Sequence, residues 1–531
     1  MLYRRELLLS AVGLLLPVAA SAKAAQGSRN ALAGLPPGWL DVRRYGAKGD
    51  GVTIDGPAIN KAIAAASKLG GATVYFPAGT YASYTIRLQS HVTLHLESGA
   101  VLLAAPVPFD GAPSGGYDIA DDVDASFRAY QDAGHSHWKN SLIYGEGLEN
   151  VTIEGRGLIY GKGLARDWHD EGQIAGSRKP GVGDKAIALK NCHGVLLRDF
   201  SVLQGGWFCL LATGVDNMTI DNVTVDTNRD GFDIDCCRNV RVLNCTVNSP
   251  WDDGICPKSS FALGYPRATE NVTISNCFVT GGYELGSVIA GTWKRQPDSF
   301  NGTGRIKCGT ESNGGFTNVT VSNCVFDHSR GLCLETVDGA HCEDITISNV
   351  TMRGAMNSPF FLRLGRRMRG PQGTPVGTLK RVIISNLTSH DAAMLPSIIA
   401  GVPDHPVEDI QLNDIFLQQR GGGSAEMAAR QPPEQADQYP EPTMFGDLPA
   451  SGLFVRHARN LAFSNVEIAV QSADARPAIW MQDVDGVDVF RLRAPKGPAF
   501  ALDAVSRFRS FGNAGADDVT FQALSRRVIN W

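Results

Sequence analysis

Short runs of alternating apolar and polar residues, rich in Val, Ile and Thr, recur along most of the chain. The repeated unit reads Asn-Val-Thr-Ile-x-Asn-x-x-Val, with variations, and begins at Asn150, Asn217, Asn239, Asn271, Asn318, Asp344, Arg381, Asp409 and Asn460. Alternation over a few residues is typical of a half-buried strand, so each unit predicts two short strands around a polar turn. No sustained helical period of apolar residues runs through residues 150–412.

The spacing of the repeats is that of a solenoid. Asn217 and Asn239 are 22 residues apart, and Asn318 and Asp344 are 26 apart. One such unit cannot bury its own apolar face, so successive units must stack. We therefore expect an all-β fold, a single-stranded parallel β-helix, with loops inserted where the spacing is longer. Asn-Cys pairs at one turn position are expected to form interior ladders: Asn244-Cys245, Asn276-Cys277 and Asn323-Cys324.

The N-terminus has the pattern of a targeting segment. Arg4-Arg5 precede the apolar run Leu7–Leu16, which is followed by the small residues Ala20-Ser21-Ala22. We expect residues 1–22 to be a signal peptide of the twin-arginine-like kind and residues 23–40 to be a linker. The mature protein would then work in the bacterial periplasm or the medium. No other run approaches the roughly 20 apolar residues of a membrane span, so we expect no membrane partner.

Residues 41–531 are expected to form one β-helical catalytic domain, capped at its N-terminal end by a helix over Pro57–Leu69. The predicted buried face of this helix is Ile59, Ala62, Ile63 and Ala66. Such a cap covers apolar core and strand edges that an open β-helix would expose. The repeat is interrupted near residues 106–139 and 418–449. These two loops either wall a binding cleft or are disordered inserts.

Charge and cysteine content narrow the range of partners. The net charge of −5 gives no support to a nucleic-acid partner. The eleven cysteines lie between Cys192 and Cys342, and their odd number leaves at least one thiol free. Cys236-Cys237 lack the ligand spacing of a zinc site. We therefore expect no metal and no cofactor, and a protein that acts as a monomer.

Two Asp-rich turns stand out among the repeats. Asp230 and Asp252 are 22 residues apart, about one coil, and Asp253 follows directly. In a β-helix the two turns would stack, which places three carboxyl groups on one face. Cleavage of a glycosidic bond needs one protonated acid and one ionised base, and such a cluster can supply both. The alternative is structural, because Asp commonly caps turns.

At these positions the chain resembles glycoside hydrolase family 28, the polygalacturonase family of right-handed β-helices. Its first signature, Asn-Thr-Asp, corresponds to Asn228-Arg229-Asp230, with Arg in place of Thr, and its second, Gly-Asp-Asp, corresponds to Trp251-Asp252-Asp253. The third, Gly-His-Gly, falls on residues 282–286, where no His is present. The fourth is intact as Arg305-Ile306-Lys307.

The resemblance implies an inverting hydrolase with three catalytic carboxyl groups. In the mechanism that the resemblance implies, Asp253 is the acid, and Asp230 and Asp252 hold and activate the water. The residues expected to bind substrate are Asn228, Lys258, Tyr283, Glu284, Arg305 and Lys307. Arg305 and Lys307 share one face of a strand and could clamp a sugar carboxylate.

The missing His is the main departure from the family. Tyr283 or Glu284 would occupy its space. A histidine from another loop or turn could instead replace it: His135, His137, His169 or His457. The departure favours exo action on a pectic polysaccharide or oligosaccharide that contains galacturonate. Two alternatives stay open at this point, a polysaccharide lyase on the same scaffold and a non-catalytic glycan-binding β-helix.

Overall fold

The alternating segments form strands, and all of the described strands except the last pair in parallel with the strand at the same place in a neighbouring coil. The computed structural model describes residues 35–106, 116–165, 180–514 and 516–531. The chain divides into two units, Met1–Trp39 and Leu40–Trp531, and the fold described here is that of the second. The expected signal peptide at residues 1–22, most of the expected linker and His169 lie outside the described residues.

In the first part of the chain the strands form three rows. After β1 (Trp39–Asp41), the first row consists of β3 (Ala72–Phe76), β6 (Val92–Leu96), β9 (Glu149–Glu154), β12 (His193–Arg198), β15 (Asp216–Asp221), β18 (Arg238–Leu243) and β21 (Thr269–Ser275). The second row consists of β2 (Asp50–Ile54), β4 (Gly79–Ser83), β7 (Ala100–Ala104), β10 (Leu158–Tyr160), β13 (Ser201–Leu203), β16 (Thr224–Asp226), β19 (Thr246–Asn248) and β22 (Phe278–Thr280).

The third row contains the segments singled out for chemistry. It consists of β5 (Ile86–Arg87), β8 (Ser141–Glu146), β11 (Lys185–Lys190), β14 (Phe208–Thr213), β17 (Asp230–Asp235), β20 (Ile255–Lys258), β23 (Ile306–Cys308), β25 (Leu332–Thr336), β27 (Phe360–Leu364) and β29 (Ser397–Ala400).

Later coils merge neighbouring rows into longer strands. These are β24 (Phe316–Asp327), β26 (His341–Arg353), β28 (Thr378–Ala392), β30 (Val407–Gly421), β31 (Leu453–Ser472), β32 (Ile479–Phe490), β33 (Pro498–Phe511) and β34 (Val519–Asn530). β24 pairs with both β21 and β22, and β31 pairs with both β29 and β30. β34 pairs antiparallel with β33. The expected all-β, right-handed parallel β-helix is confirmed.

The predicted capping helix is present as α1 (Gly56–Lys68). Its expected apolar face is fully buried and packs on the first strands of the β-helix. Asp55 precedes the helix, but its carboxylate does not cap it, because it accepts hydrogen bonds from the backbone of Lys48 and Gly49 at 2.6 and 2.9 Å. The other described helices are α2 (Ala425–Ala428) and the 3-10 helices Val42–Tyr45, Arg128–Tyr130, Ala133–Ser136 and Pro442–Phe445.

Each coil bends at residues in the left-handed backbone conformation, which Asn adopts more readily than most residues. The angle φ is 57° at Asn244 and 56° at Asn276, in the bends between the first and second rows. Asn276 Nδ2 donates to Asn244 Oδ1 at 3.3 Å, and both side chains are exposed. The neighbouring Cys245 and Cys277 are buried. The prediction of interior ladders was therefore right for the cysteines and wrong for the asparagines, because the left-handed bend turns the amides outward.

The apolar core runs along the inside of the coils. Inward residues of successive strands stack on one another, as Phe232 does on Ile255 and Ile255 on Ile306. All eleven cysteines are buried and none forms a disulfide. Among the residues that the structure describes, no helix has both the length and the apolar character needed to span a bilayer.

Candidate active site

Three functional residues stand at the same place in successive coils of the third row. Asp230 begins β17, Asp253 lies just before β20, and Arg305 lies just before β23. The backbone joins these turns, because Gly231 N donates to Asp253 O at 3.0 Å and Gly254 N donates to Arg305 O at 2.8 Å. Neighbouring parallel strands are about 4.8 Å apart, so the three side chains are close neighbours.

These turns open into a cavity of about 520 Å³. Its walls come from five stacked turns, those before β14, β17, β20, β23 and β25, and from two loops that lie outside the β-helix. The lining residues are Asp132, Ala133, His135, Trp207, Phe208, Arg229, Asp230, Trp251, Asp252, Asp253, Lys258, Thr303, Arg305, Lys307, Glu311, Arg330, Tyr439 and Glu441. All three predicted catalytic carboxyl groups are among them, together with Lys258, Arg305 and Lys307.

Asp253 is buried between two cations. Arg305 Nε contacts Asp253 Oδ1, and Lys307 Nζ lies 2.8 Å from Asp253 Oδ2. Burial alone would raise the pKa of Asp253, but Arg305 and Lys307 outweigh it and hold the pKa well below its usual range. The expectation that Asp253 is the proton-carrying acid therefore disagrees with its surroundings, which keep this carboxyl ionised.

Lys258 has the opposite situation, one cation among three carboxyl groups. Its Nζ lies 3.4 Å from Asp230 Oδ2, 3.3 Å from Asp233 Oδ1 and 3.6 Å from Glu311 Oε2. Burial, followed by the charges of Asp233 and Asp252, raises the pKa of Asp230 well above its usual range. Burial also raises the pKa of Asp233 to about 7, although Lys258 opposes the shift. Of these two neighbours, Asp230 is therefore the one that more readily holds a proton, and Asp253 is the one that more readily ionises.

Asp252 differs from the other two catalytic candidates because its side chain is partly exposed to the cavity. Its Oδ2 lies 2.8 Å from Arg229 Nη2, and the Arg229 guanidinium stacks on the ring of Trp207 at 4.7 Å. Asp253 N donates to Asp252 Oδ1 at 3.0 Å, which fixes the Asp252 carboxyl beside the buried carboxyl groups of Asp230 and Asp253. Arg229 stands where the resembling family has Thr, and the sequence analysis gave it no role.

The loop after β30 contributes two side chains that the sequence analysis did not assign. Glu441 holds Arg305 with two hydrogen bonds, from Nη2 to Oε1 at 2.7 Å and from Nη1 to Oε2 at 3.2 Å. Tyr439 Oη accepts from Thr310 Oγ1 at 2.9 Å and lies 3.4 Å from Lys307 Nζ. The charged atoms of Arg305 and Lys307 are thus already engaged by the protein, contrary to the expected clamp on a sugar carboxylate.

The structure places three predicted substrate-binding residues outside this cavity, as far as the described chain forms it. Asn228 is buried and its carbonyl accepts from Trp251 N at 3.1 Å. Tyr283 Oη donates to Asp327 Oδ2 at 2.8 Å, and Glu284 pairs with Lys294 at 2.8 Å. Neither Tyr283 nor Glu284 therefore lines this cavity, because they contact Asp327 and Lys294 instead.

A histidine does line the cavity, and it comes from the loop before β8. His135 is buried, its ring packs against Phe208 at 4.7 Å, and Nδ1 lies 4.0 Å from Asp235 Oδ2. Burial and the charge of Lys258 lower its pKa well below the usual value, so the ring is neutral. His135 was one of four histidines that the sequence could not separate, because only the folded loop brings it to the cavity.

Within the part of the chain that the structure describes, the set of side chains that could hold a metal is Asp230, Asp253 and Cys256, whose ligand atoms lie within 4.8 Å of one another. The set fits a cation poorly. Asp253 is already neutralised by Arg305 and Lys307, and burial raises the pKa of Cys256 well above its usual value, so the thiol is protonated. The positive charges of Arg305 and Lys307 repel a metal ion, and the protonated thiol of Cys256 is a poor ligand, so metal binding at this set of side chains is disfavoured.

Comparison with known proteins agrees with this geometry. The model of "Glycosyl hydrolases family 28" matches residues 107–436, more than half of the 531 residues, and that of "Rhamnogalacturonase A/epimerase, pectate lyase-like" matches residues 39–103. A "Probable polygalacturonase" of Vitis vinifera is 24% identical over 403 residues, 70% of this chain and 73% of that protein.

Two further relatives are exo-acting by name. The "Exo-poly-alpha-D-galacturonosidase" of Dickeya chrysanthemi is 25% identical over 331 residues. The match covers 59% of this chain and 50% of that protein. The Yersinia enterocolitica family 28 exopolygalacturonase has the same fold, with a TM-score of 0.64 and 17% identity over 85% of this chain and 78% of that one. With its three stacked carboxyl groups and the matched family model, the chain belongs to glycosyl hydrolase family 28 and is a glycosidase.

Proposed function

We propose that this chain is an exported, exo-acting hydrolase of galacturonate-containing pectic polysaccharides or oligosaccharides, and that it inverts the anomeric centre. The observation that carries the proposal is the pair of buried neighbours Asp230 and Asp253, whose pKa values are shifted in opposite directions. This separation supports Asp253 as the ionised carboxyl that can take a proton from water, and a third carboxyl of the same cavity, Asp252, remains to protonate the leaving oxygen.

The distance between Asp230 and Asp253 bears on whether they act on the attacking water or on the leaving oxygen. An oxygen of each lies within 4.8 Å of the other. The acid and the base of an inverting enzyme are about 6.5–9.5 Å apart, because the sugar and a water stand between them. Asp230 and Asp253 are too close for that, so both act on the water. Asp253 takes the proton from the attacking water, and Asp230 orients the water with its own proton.

Asp252 is then the remaining carboxyl for the opposite side of the sugar. It lies at the mouth of the pair and is the most exposed of the three, with 24% of its side chain accessible, against 3% for Asp230 and 1% for Asp253. In this assignment Asp252 donates a proton to the leaving oxygen as the water attacks the anomeric carbon. Exchange with solvent then restores the proton on Asp252 and removes the one gained by Asp253. This exchanges the roles that the resemblance implied for Asp252 and Asp253.

Exo action is supported by the two loops that wall the cavity. Asp132 and His135 come from the loop before β8, while Tyr439 and Glu441 come from the loop after β30. Asp132 also pairs with Arg369 Nη1 at 3.0 Å, which ties the first loop to the coil beyond β27. A cavity walled in this way admits the end of a glycan more readily than its interior. Export through the signal peptide of residues 1–22 and action as a monomer belong to the same proposal.

The test is sugar release by the mature protein from polygalacturonate, rhamnogalacturonan I and II fragments and xylogalacturonan. Reducing ends and ultraviolet absorbance are read in parallel for wild type and Asp253→Asn. We expect new reducing ends without absorbance, lost in the variant. Absorbance from unsaturated ends would contradict hydrolysis, and activity retained in Asp253→Asn would contradict the site.

Product analysis separates the remaining parts of the proposal. Exo action releases mono- or disaccharide from the first minutes, with little loss of polymer viscosity, whereas a ladder of oligomers would contradict it. The anomeric configuration of the first product, followed by NMR before mutarotation, tests inversion. A product that retains the configuration would contradict the assignment of Asp230 and Asp253 to the water.

A further inference from the structure

The cations of the cavity differ in how far a substrate can reach them. The exposed fraction of the side chain is 2% for Arg305, 3% for Lys307 and 7% for Lys258, but 11% for Arg229 and 22% for Arg330. The first three are held by buried carboxylates. A negatively charged sugar entering from solvent therefore meets Arg229 and Arg330 first.

Arg229 is the closer of these two to the reacting groups. Its Nη2 lies 2.8 Å from Asp252 Oδ2, and its planar face rests on Trp207. This stacking fixes the plane of the guanidinium, which has five N–H donors in a rigid fork and matches a carboxylate with two parallel hydrogen bonds. Arg229 precedes Asp230 in the turn one coil before Asp252, and its guanidinium lies beside Asp252 in the wall of the cavity.

The ion pair between Arg229 and Asp252 is a contact that a charged sugar can replace. A uronate carboxylate bound to Arg229 competes for the same guanidinium. A neutral sugar offers no such competition and leaves the pair of Arg229 and Asp252 intact.

Resting on the proposed hydrolysis of uronate-containing glycans, we propose that Arg229 recognises the carboxylate of the sugar bound beside Asp252. Arg229 thereby makes the enzyme selective for a free uronate over its methyl ester.

The experiment compares an oligogalacturonide with its fully methyl-esterified form, for wild type, Arg229→Gln and Arg229→Lys. Wild type should prefer the free acid. In Arg229→Gln we expect kcat/KM on the free acid to fall about tenfold to a hundredfold, the loss of one charge-assisted contact, and that on the ester to stay level or rise. Arg229→Lys, which keeps the charge and loses the fork, should retain part of the preference.

The matched control is Arg238→Gln, an arginine on β18 that pairs with Glu270 outside the cavity, and it should leave both rates unchanged. If Arg229→Gln slowed both substrates by one factor, or left their ratio as in wild type, the inference would be overturned and a structural role for Arg229 would remain. Wild type inactive on both substrates would instead overturn the proposed function, which separates the two failures.

Discussion

Two buried charge clusters lie side by side in the stacked turns that line the cavity, and cations outnumber carboxyl groups in one of them and are outnumbered in the other. In the Asp253 cluster (Asp253, Arg305, Lys307) one carboxylate has two cations. In the Lys258 cluster (Lys258, Asp230, Asp233, Glu311) one cation has three carboxyl groups.

The pKa of Asp253 is accordingly lowered and that of Asp230 is raised, although both side chains are almost fully buried. Burial by itself pushes both carboxyl groups toward the protonated form. The comparison teaches that the local ratio of charges, rather than residue type or burial, decides which carboxyl of this site keeps a proton.

Removing the carboxylate of the Asp253 cluster should have the largest effect on activity. In Asp253→Asn the general base is lost, and we expect kcat to fall about 10³-fold, within the usual range for such groups. Initial rates of sugar release measure the effect, and circular dichroism checks the fold. Asp488→Asn, at an exposed pair with Arg509, is the matched control. Activity within tenfold of wild type would break the comparison, because Asp253 would then not be the base.

Removing the cation of the Lys258 cluster should mainly affect stability. Lys258→Met leaves three buried carboxyl groups without their ammonium partner, which we expect to cost about 3–5 kcal/mol of unfolding free energy. The loss should be largest at neutral pH, where the carboxyl groups tend to ionise, and smaller near pH 4, where they take up protons. Thermal unfolding of Lys258→Met and of the partly exposed control Lys380→Met at both pH values measures this loss. An equal loss at the two pH values would contradict the assigned charge ratio.

Asp233 tests the same cluster from its acidic side. Its pKa is raised to about 7, against about 3.9 in an unfolded chain. The folded protein therefore binds more protons than the unfolded one between these values, and stability attributable to Asp233 falls as the pH rises from about 4 to about 7. Asp233→Asn should abolish that part of the slope and stabilise the protein at pH 7 by a few kcal/mol relative to wild type. Denaturant unfolding at several pH values measures the difference, and an unchanged slope would contradict the shift.

Much of the fold could be predicted from the sequence, because it depends on local periodicity. The repeats from Asn150 to Asn460 predicted stacked strands, and the apolar face of residues 57–69 predicted the cap. The direction of the Asn244 side chain was wrong, since alternation alone does not reveal a left-handed bend. The 22-residue spacing of Asp230 and Asp252 predicted that their turns would stack, because it is close to the length of a coil without an inserted loop, and the observed register pairs Phe232 with Ile255, 23 residues further on.

The rest of the site depends on where long loops land, and no local pattern encodes that. Tyr439 and Glu441 lie 129 and 136 residues from their partners Thr310 and Arg305. His135 reaches the cavity in the same way. Tyr283 fills the sequence position of the missing His, yet it bonds to Asp327. Arg229 did have a signal, since it interrupts the first signature, but only the geometry shows its contact with Asp252.

Substitution of Glu441 tests the Asp253 cluster further and should change activity less than the substitutions above. It shares Arg305 with Asp253, so Glu441→Gln should leave Arg305 entirely to Asp253 and lower the pKa of the base further. We expect a few-fold loss of kcat and a shift of the acid side of the pH profile to lower pH. The profile of kcat against pH measures both. A shift to higher pH would mean that Glu441 positions Arg305 rather than competing for it.

Substitution in the row of exposed Asn side chains that hydrogen-bond from one coil to the next should have the smallest effect, and that effect should be on stability alone. Asn271 Nδ2 donates to Asn239 Oδ1 at 3.0 Å and Asn271 Oδ1 accepts from Asn318 Nδ2 at 2.7 Å, with φ of 58° at Asn271. Asn271→Ala loses these bonds and strains a left-handed residue, which we expect to cost about 1–2 kcal/mol. Asn271→Gly keeps the bend without strain and should cost less. Thermal unfolding and kcat are measured together. Unchanged kcat is expected because Asn271 does not line the cavity, whereas a fall in kcat at full stability would mean that the ladder sets the register of the turns that hold both charge clusters.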